Sequence, residues 1–197
     1  MTRSAAKERT TKETQISVRI DLDGPTGEVS ATTGLPFFDH MLDQLGRHGG
    51  FDLTVRATGD LHVDGHHTVE DVGITIGEVF REALGDKAGI RRFASGLYPL
   101  DEALVEVALD LSGRPFTAYD VPFGEVLPLG DPPFNPEMAE HFWQSFATSA
   151  GITLHVRLRE GRNTHHIVEA CFKGVSRCLR DAVRIEGEGI PSTKGSI

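Results

Sequence analysis

Cysteines, blocks of basic residues and long apolar runs are all scarce or missing in this sequence of 197 residues. Two cysteines are too few for a disulfide framework. Because Cys171 and Cys178 lie seven residues apart in one amphipathic run, they are predicted to be buried thiols in a reducing compartment. No apolar run approaches the length of a membrane span, and the polar N-terminus lacks the apolar core of a signal peptide. We therefore expect a soluble, cytoplasmic protein.

The charge balance also excludes some classes of partner. Acidic residues outnumber basic ones by 29 to 20, so the net charge is −9 with histidine counted as neutral. Because no cluster of lysine or arginine offsets this charge, neither nucleic acid nor an anionic membrane is an expected partner. The net negative charge still allows a local basic pocket that binds a small anion. The length suits one large domain or two small ones.

Histidine, by contrast, is abundant, and its distribution predicts an internal duplication. Four of the nine histidines form two adjacent pairs, in HHTVE beginning at residue 66 and HHIVE beginning at residue 165, an offset of 99. Upstream, His40 matches His141 at an offset of 101. The order of these landmarks is the same in both parts of the chain, so chance similarity is a poor explanation.

The two halves, about residues 10–95 and 96–190, contain the same predicted elements. In order, these are strands 15–22 and 103–111, helices beginning at Pro36 and near Pro136, strands 51–55 and 152–158 with a hairpin after each, and the helices bearing the histidine pairs. Residues 85–100 are predicted to connect the halves. Each half is then an α+β unit of several antiparallel strands with two helices on one face. Because such a half buries little surface alone, the helices of both halves should form a shared core.

The repeated histidines and glutamates predict metal binding. Residues three or four apart on a helix are neighbours, so each glutamate lies beside its histidine pair, whereas the paired histidines diverge by about 100° and suit two different metals. The repeat supplies eight donors in two similar sets, namely His40, His66, His67, Glu70, His141, His165, His166 and Glu169. Imidazole and carboxylate without thiolate favour Mn, Fe, Co or Zn. Either motif alone fits a polar helix surface, but their repetition favours a paired metal site. HExxH, GxSxG and P-loop motifs are absent.

Long motifs along the chain carry a resemblance to a known family. They are FFDHMLDQLGRHGGFDL (37–53), HHTVEDVGI (66–74), LDEALVEVALDLSGRP (100–115), EHFWQSF (140–146), HHIVEACFKG (165–174) and PSTKG (191–195). From about residue 10 to its end, the sequence resembles the imidazoleglycerol-phosphate dehydratases. These histidine-biosynthesis lyases convert D-erythro-imidazole-glycerol 3-phosphate to imidazole acetol phosphate and water. The resemblance implies a single dehydratase domain over 1–197, with two similar four-stranded half-domains and the helices packed between the two sheets.

The resemblance also implies a cofactor, an assembly and a set of site residues. It implies two Mn²⁺ ions per active site, held by the same eight donors at subunit contacts of a 24-subunit shell built from trimers. Glu13 and Glu169 would transfer protons, and which of them removes the substrate proton stays open. Substrate and phosphate binding would fall to Gln44, Arg92, Arg114, Lys173, Ser192 and Lys194, with a C-terminal phosphate-binding tail at 190–197.

Two metals suit the implied chemistry, because the proton to be removed is not beside a carbonyl group and is therefore poorly acidic. Metal ions on both ring nitrogens would act as Lewis acids and favour a metal-bound imidazolate that helps to expel the hydroxyl group. Two other interpretations stay open. One is a non-catalytic metal-binding or metal-storage shell, and the other is a metal-dependent hydrolase of a phosphorylated small molecule.

Overall fold

A computed structural model describes residues 3–24, 26–124, 126–195 and 197. In those residues the chain forms eight strands and four helices. In order, they are β1 (Ser4–Thr10), β2 (Thr14–Asp21), β3 (Val29–Thr32), α1 (Pro36–Gly49), β4 (Asp52–Gly59), α2 (His66–Leu84), β5 (Phe93–Leu100), β6 (Ala103–Asp110), β7 (Phe116–Asp120), α3 (Met138–Ala150), β8 (Thr153–Glu160) and α4 (Thr164–Ala182). The element order β-β-β-α-β-α therefore occurs twice.

The two halves also share one sheet topology, β1-β2-β4-β3 in the first and β5-β6-β8-β7 in the second. This confirms an α+β fold of two similar four-stranded half-domains. The prediction of antiparallel strands is confirmed for β1, β2 and β4 and for β5, β6 and β8, but β3 runs parallel to β4 and β7 runs parallel to β8. In each case a helix lies between the two strands in the chain, and such a crossover returns the second strand in the same direction as the first.

Two details of the predicted connections are also corrected. No hairpin follows β4 or β8, because short loops lead from these strands directly into α2 and α4, and the hairpins are β1–β2 and β5–β6. The predicted connection at 85–100 contains strand β5, so the predicted boundary between residues 95 and 96 falls inside it. The connection was predicted from Gly85, Gly89 and Gly96, but Gly96 lies within β5, an edge strand of its sheet.

The helices lie between the two sheets, and each packs against a helix of the other half. Helix α1 contacts α4, and α2 contacts α3, while each also rests on its own sheet. Phe38, Phe142, Trp143 and Phe172 are buried in this shared core. Both cysteines lie in the buried part of α4, as predicted. Among the described helices, none is long and apolar enough to cross a membrane.

Candidate functional site

The first histidine–glutamate group joins α1 to α4. One ligand atom from each of His40, His165 and Glu169 lies within 4.8 Å of the other two. Oε2 of Glu169 is 3.0 Å from Nε2 of His165 and 3.7 Å from Nε2 of His40. The Asn163 side chain caps α4 by accepting hydrogen bonds from the backbone N–H groups of His165 and His166, which fixes the first turn of the helix. Helix pairing between the halves thus brings together residues far apart in sequence.

A second, looser group of two histidines and a glutamate lies between α3 and α2. The rings of His66 and His141 lie 4.5 Å apart between centroids, and Nε2 of His66 is 3.9 Å from Oε2 of Glu70. Here the lone histidine comes from the second half and the histidine–glutamate pair from the first, the reverse of the first group. The second group is more open, because the Glu70 side chain is 47% exposed whereas that of Glu169 is 12% exposed.

The remaining two predicted ligands, His67 and His166, are each held by a carboxylate that the sequence analysis missed. Nδ1 of His67 donates to Asp60 at 3.0 Å, and Nδ1 of His166 donates to Glu102 at 2.8 Å. These hydrogen bonds raise the pKa of both imidazoles. In return, the bonds from His166 and from the backbone N–H of Asn163 lower the pKa of Glu102 to about 2. Within the described residues, neither histidine uses Nε2 in a hydrogen bond.

Two of the predicted substrate-binding residues flank the first group. Nζ of Lys173 is 2.7 Å from Oε1 of Glu169. Although burial alone raises the pKa of Glu169, the Lys173 ammonium and neighbouring imidazoles hold it below its usual range. Gln44 accepts a hydrogen bond from Nε2 of His48 at 3.1 Å, and its amide nitrogen lies 3.4 Å from Nδ1 of His40.

The other four predicted substrate-binding residues line a separate cleft. This cleft has a volume of ≈ 570 Å³ and is formed by Arg92, Arg114 and residues 191–194, which include Ser192 and Lys194. Arg92 donates to both carboxylate oxygens of Asp110, at 2.6 and 3.0 Å, and to the Pro191 carbonyl oxygen at 2.8 Å. Arg114 and Lys194 form no ion pair with any carboxylate of the described residues. Ser196, in the predicted tail 190–197, lies outside the described part of the chain.

Glu13 lies in the β1–β2 turn, next to the histidine pair of α2. Its carboxylate is 3.9 Å from Nδ1 of His67, and its side chain is 52% exposed. The turn is tied to α2 by a 2.6 Å hydrogen bond from Thr14 Oγ1 to Asp71. Glu102 has the corresponding position in the β5–β6 turn, at the offset of 89 that also relates Ile20 to Leu109. That offset was the signal by which the sequence could have identified Glu102.

Comparison with known proteins adds independent findings. A family model described as imidazoleglycerol-phosphate dehydratase matches residues 33–179. Proteins of that name from Parafrankia sp. (strain EAN1pec) and Acidothermus cellulolyticus are 56% and 55% identical, over 99% of this chain and 99% and 93% of theirs. The crystal structure of the Staphylococcus aureus N315 dehydratase has a TM-score of 0.82 at 34% identity, covering 92% of this chain and 99% of that one. The Pyrococcus furiosus dehydratase in complex with (S)-C348 also has a TM-score of 0.82, at 36% identity, covering 97% and 100%.

Proposed function

The chain belongs to the imidazoleglycerol-phosphate dehydratase family, and on that premise we propose how it carries out the reaction. It is an enzyme of histidine biosynthesis. The proposed reaction removes a proton and a hydroxyl group from neighbouring carbons of D-erythro-imidazole-glycerol 3-phosphate. The enol that results rearranges to imidazole acetol phosphate, and one water is released. Its cytoplasmic location stays a prediction of the sequence.

The two histidine–glutamate groups fit divalent metal ions. Each group combines imidazole nitrogens with a carboxylate on facing helices, and the atoms of the first group already lie within 4.8 Å of one another. Both thiols of the chain are buried in α4, so the groups suit Mn²⁺ better than a soft metal. We propose one Mn²⁺ in each group, two per active site. When bound, the two ions would supply Lewis acidity to the imidazole ring of the substrate.

Each group has three donors from one chain, which leaves coordination positions for donors from elsewhere. His67 and His166 are oriented by carboxylates through Nδ1, so Nε2 of each remains available as a ligand. We propose that a neighbouring subunit supplies these two histidines, and that the complete sites therefore form at contacts of a 24-subunit shell built from trimers. On this proposal, all eight predicted donors are ligands.

Proton transfer is assigned to Glu13 and Glu169. Glu169 lies between His165 on one oxygen and Lys173 on the other, and the nearby ammonium favours the ionised carboxylate that can accept a proton. Glu13 sits on a turn that is tied to the metal-ligand helix α2, and its carboxylate is exposed enough to meet a substrate.

The phosphate group is assigned to the cleft of Arg92, Arg114, Ser192 and Lys194, while Lys173 and Gln44 contact the substrate from the metal side. Within one chain these two sets are well separated. The backbone of Arg92 bonds to the carbonyl of Ala182, and nine residues of α4 separate Ala182 from Lys173, a helical length of about 14 Å. We therefore propose that one active site combines the cleft of one subunit with the metal groups of another.

The observation that carries this proposal is the pair of matching histidine–glutamate groups formed between the two halves. Its test is the turnover of imidazole glycerol phosphate by metal-stripped protein with and without added Mn²⁺, measured directly as imidazole acetol phosphate. We expect product only when Mn²⁺ is present. The Glu169→Gln variant should lose turnover, whereas Glu82→Gln, at an exposed position of α2, should match the wild type.

The alternatives give different results in the same experiment. A Mn²⁺-loaded, fully assembled particle that makes no product would favour the non-catalytic metal-binding shell. Release of inorganic phosphate in place of the ketone would favour a hydrolase. Wild-type turnover by Glu169→Gln would remove Glu169 from proton transfer.

A further inference from the structure

The duplication places a glutamate at the same position in each half, but the two carboxylates have different surroundings. Glu13 precedes β2 and Glu102 precedes β6, each in the turn of a hairpin. The Glu13 carboxylate is 52% exposed and accepts no hydrogen bond from the described residues. The Glu102 side chain is 28% exposed and accepts three, from Nδ1 of His166 and from the backbone N–H groups of Arg162 and Asn163.

The contact with His166 decides which ring nitrogen can bind a metal. An ionised carboxylate only accepts hydrogen bonds, so Nδ1 of His166 must carry the proton. A neutral imidazole protonated at Nδ1 has its lone pair at Nε2. On that side, Nε2 of His166 is 3.7 Å from a carboxylate oxygen of Asp101, which is too far for a hydrogen bond. Glu102 therefore holds His166 in the one neutral form that presents Nε2 as a ligand.

The same carboxylate also places the helix that carries His166. Its other oxygen, Oε1, accepts from the N–H groups of Asn163 at 2.7 Å and Arg162 at 3.2 Å, in the loop before α4. Asn163 in turn caps α4. The backbone position and the ring orientation of His166 are thus fixed by the two oxygens of one side chain.

The first half obtains the same result from a different residue. Nδ1 of His67 is held by Asp60, in the loop after β4, at 3.0 and 3.2 Å from the two carboxylate oxygens. At the offset of 101, the position equivalent to Asp60 is Gly161, which has no side chain. In the second half, Glu102 in the β5–β6 turn therefore holds His166. In the first half Asp60 holds His67, so Glu13 is not needed for this hydrogen bond.

We propose that Glu102 is a positioning residue for metal binding, which fixes the tautomer and orientation of His166, and that Asp60 does the same for His67. Because Asp60 holds His67, Glu13 can contact the substrate, although its turn and that of Glu102 are related by duplication. The inference depends on the metal-binding role of His166 proposed above.

Glu102→Gln tests the proposal, because the amide separates the two tasks of the side chain. Its oxygen can still accept from the loop N–H groups, but its NH₂ group would face Nδ1 of His166 as a donor. The ring would then favour the proton on Nε2. We expect one of the two Mn²⁺ sites per chain to lose affinity by about 10–100-fold, the size of effect typical of such outer partners. The measurement is a Mn²⁺ titration of metal-stripped full-length protein, with free Mn²⁺ followed by electron paramagnetic resonance.

Two control variants separate this effect from others. Glu13→Gln removes the repeat-equivalent carboxylate and should bind both Mn²⁺ ions as tightly as the wild type, although turnover is lost. Asn163→Ala removes the cap of α4 and should lower the melting temperature while the contact between Glu102 and His166 persists. If Glu102→Gln binds two Mn²⁺ ions with wild-type affinity, the proposal is overturned.

The outcomes also distinguish this proposal from the one on which it rests. A wild-type protein that binds no Mn²⁺ would contradict the proposed metal sites themselves. If Glu102→Gln fails to fold, the tautomer can be read in the metal-free wild type from the ¹⁵N shifts of its histidines, with His166→Gln identifying the signal. A His166 ring protonated at Nε2 would then refute the positioning role.

Discussion

Two arginines of the C-terminal cleft show how neighbouring groups decide the task of a side chain. Three N–H groups of the Arg92 guanidinium donate hydrogen bonds, two to Asp110 and one to the Pro191 carbonyl. Arg92 therefore holds the C-terminal tail in place. The pairing with Asp110 also raises the pKa of Arg92. Arg114 and Lys194 line the same cleft without a carboxylate partner in the described residues, so their charges are available to an anionic ligand that binds beside Arg92.

Lys194→Ala should therefore weaken substrate binding. A hydrogen bond to a charged group is worth about 1.5–3 kcal/mol, so KM for imidazole glycerol phosphate should rise by roughly tenfold to a hundredfold. Mn²⁺ content should stay constant, because Lys194 is not one of the eight predicted metal donors. Steady-state kinetics and metal analysis provide the measurement, with Arg81→Ala as the control that removes an exposed positive charge elsewhere. An unchanged KM would exclude Lys194 from phosphate binding.

The two thiols should be unreactive in the folded protein. Burial raises the pKa of Cys171 to about 12 and that of Cys178 to about 11. Because the thiolate is the reactive form, only about 10⁻³ or less of either thiol is ionised at pH 8. A disulfide reagent at pH 8 should therefore label neither thiol in the native state and both in guanidinium chloride. Rapid labelling of the native protein would show that α4 opens locally and exposes the thiols.

At the scale of elements, the fold depends on close contact between helices of opposite halves. Gly77 of α2 faces α3 so closely that an added Cβ would lie 2.5 Å from the carbonyl oxygen of Phe146, and at Gly73 it would lie 2.8 Å from that of Phe142. Glycine costs about 1 kcal/mol relative to alanine inside a helix. The missing side chains of these two glycines allow α2 and α3 to approach closely, and this approach brings His141 next to His66.

Gly77→Ala should destabilise the protein despite the better helix propensity of alanine. The atom in the way belongs to the backbone of α3 and cannot rotate aside, and overpacking of this kind costs about 1–3 kcal/mol. Melting temperatures of this size of chain fall by about 2–4 °C per kcal/mol. Gly187→Ala is the matched control, since its Cβ would meet nothing within 4 Å. Equal melting temperatures for both variants would contradict the packing argument.

The sequence predicted the elements that carry strong periodicity and missed those that do not. Helices α1 to α4 and strands β2, β4, β6 and β8 bury regular apolar positions, so their patterns were readable. Strand β3 has only four residues, too few for a clear pattern. Strand β5 alternates only between exposed and half-buried residues. Both strands lie at sheet edges. Periodicity reports how much of an element is buried, and edge strands bury little.

The residues of the candidate site were predictable from the sequence, but the way in which they group in space was not. Repetition of the histidine motifs predicted the eight donors, since chance rarely repeats such a pattern in register. The grouping of His40 with His165, and of His141 with His66, depends on helix pairing between the halves, which no local pattern reports. The role of Glu102 was missed because carboxylates in turns are common on protein surfaces.

At the scale of the whole molecule, one chain does not bring all eight predicted donors together. It has two groups of three donors and, outside them, two histidines held with Nε2 available. This arrangement favours metal sites that are completed between subunits.

Removal of metal should therefore reduce the size of the particle as well as its activity. If each Mn²⁺ is bound by donors from two subunits, its binding free energy is part of the free energy of assembly. Metal-stripped protein should sediment as smaller species and return to the full particle when Mn²⁺ is added, as measured by analytical ultracentrifugation. His166→Ala should assemble less completely than the wild type at the same Mn²⁺ concentration, whereas His155→Ala, on the outer face of β8, should assemble fully. A full-sized particle after complete demetallation would contradict metal ligands that bridge subunits, and His67 and His166 would then need another role.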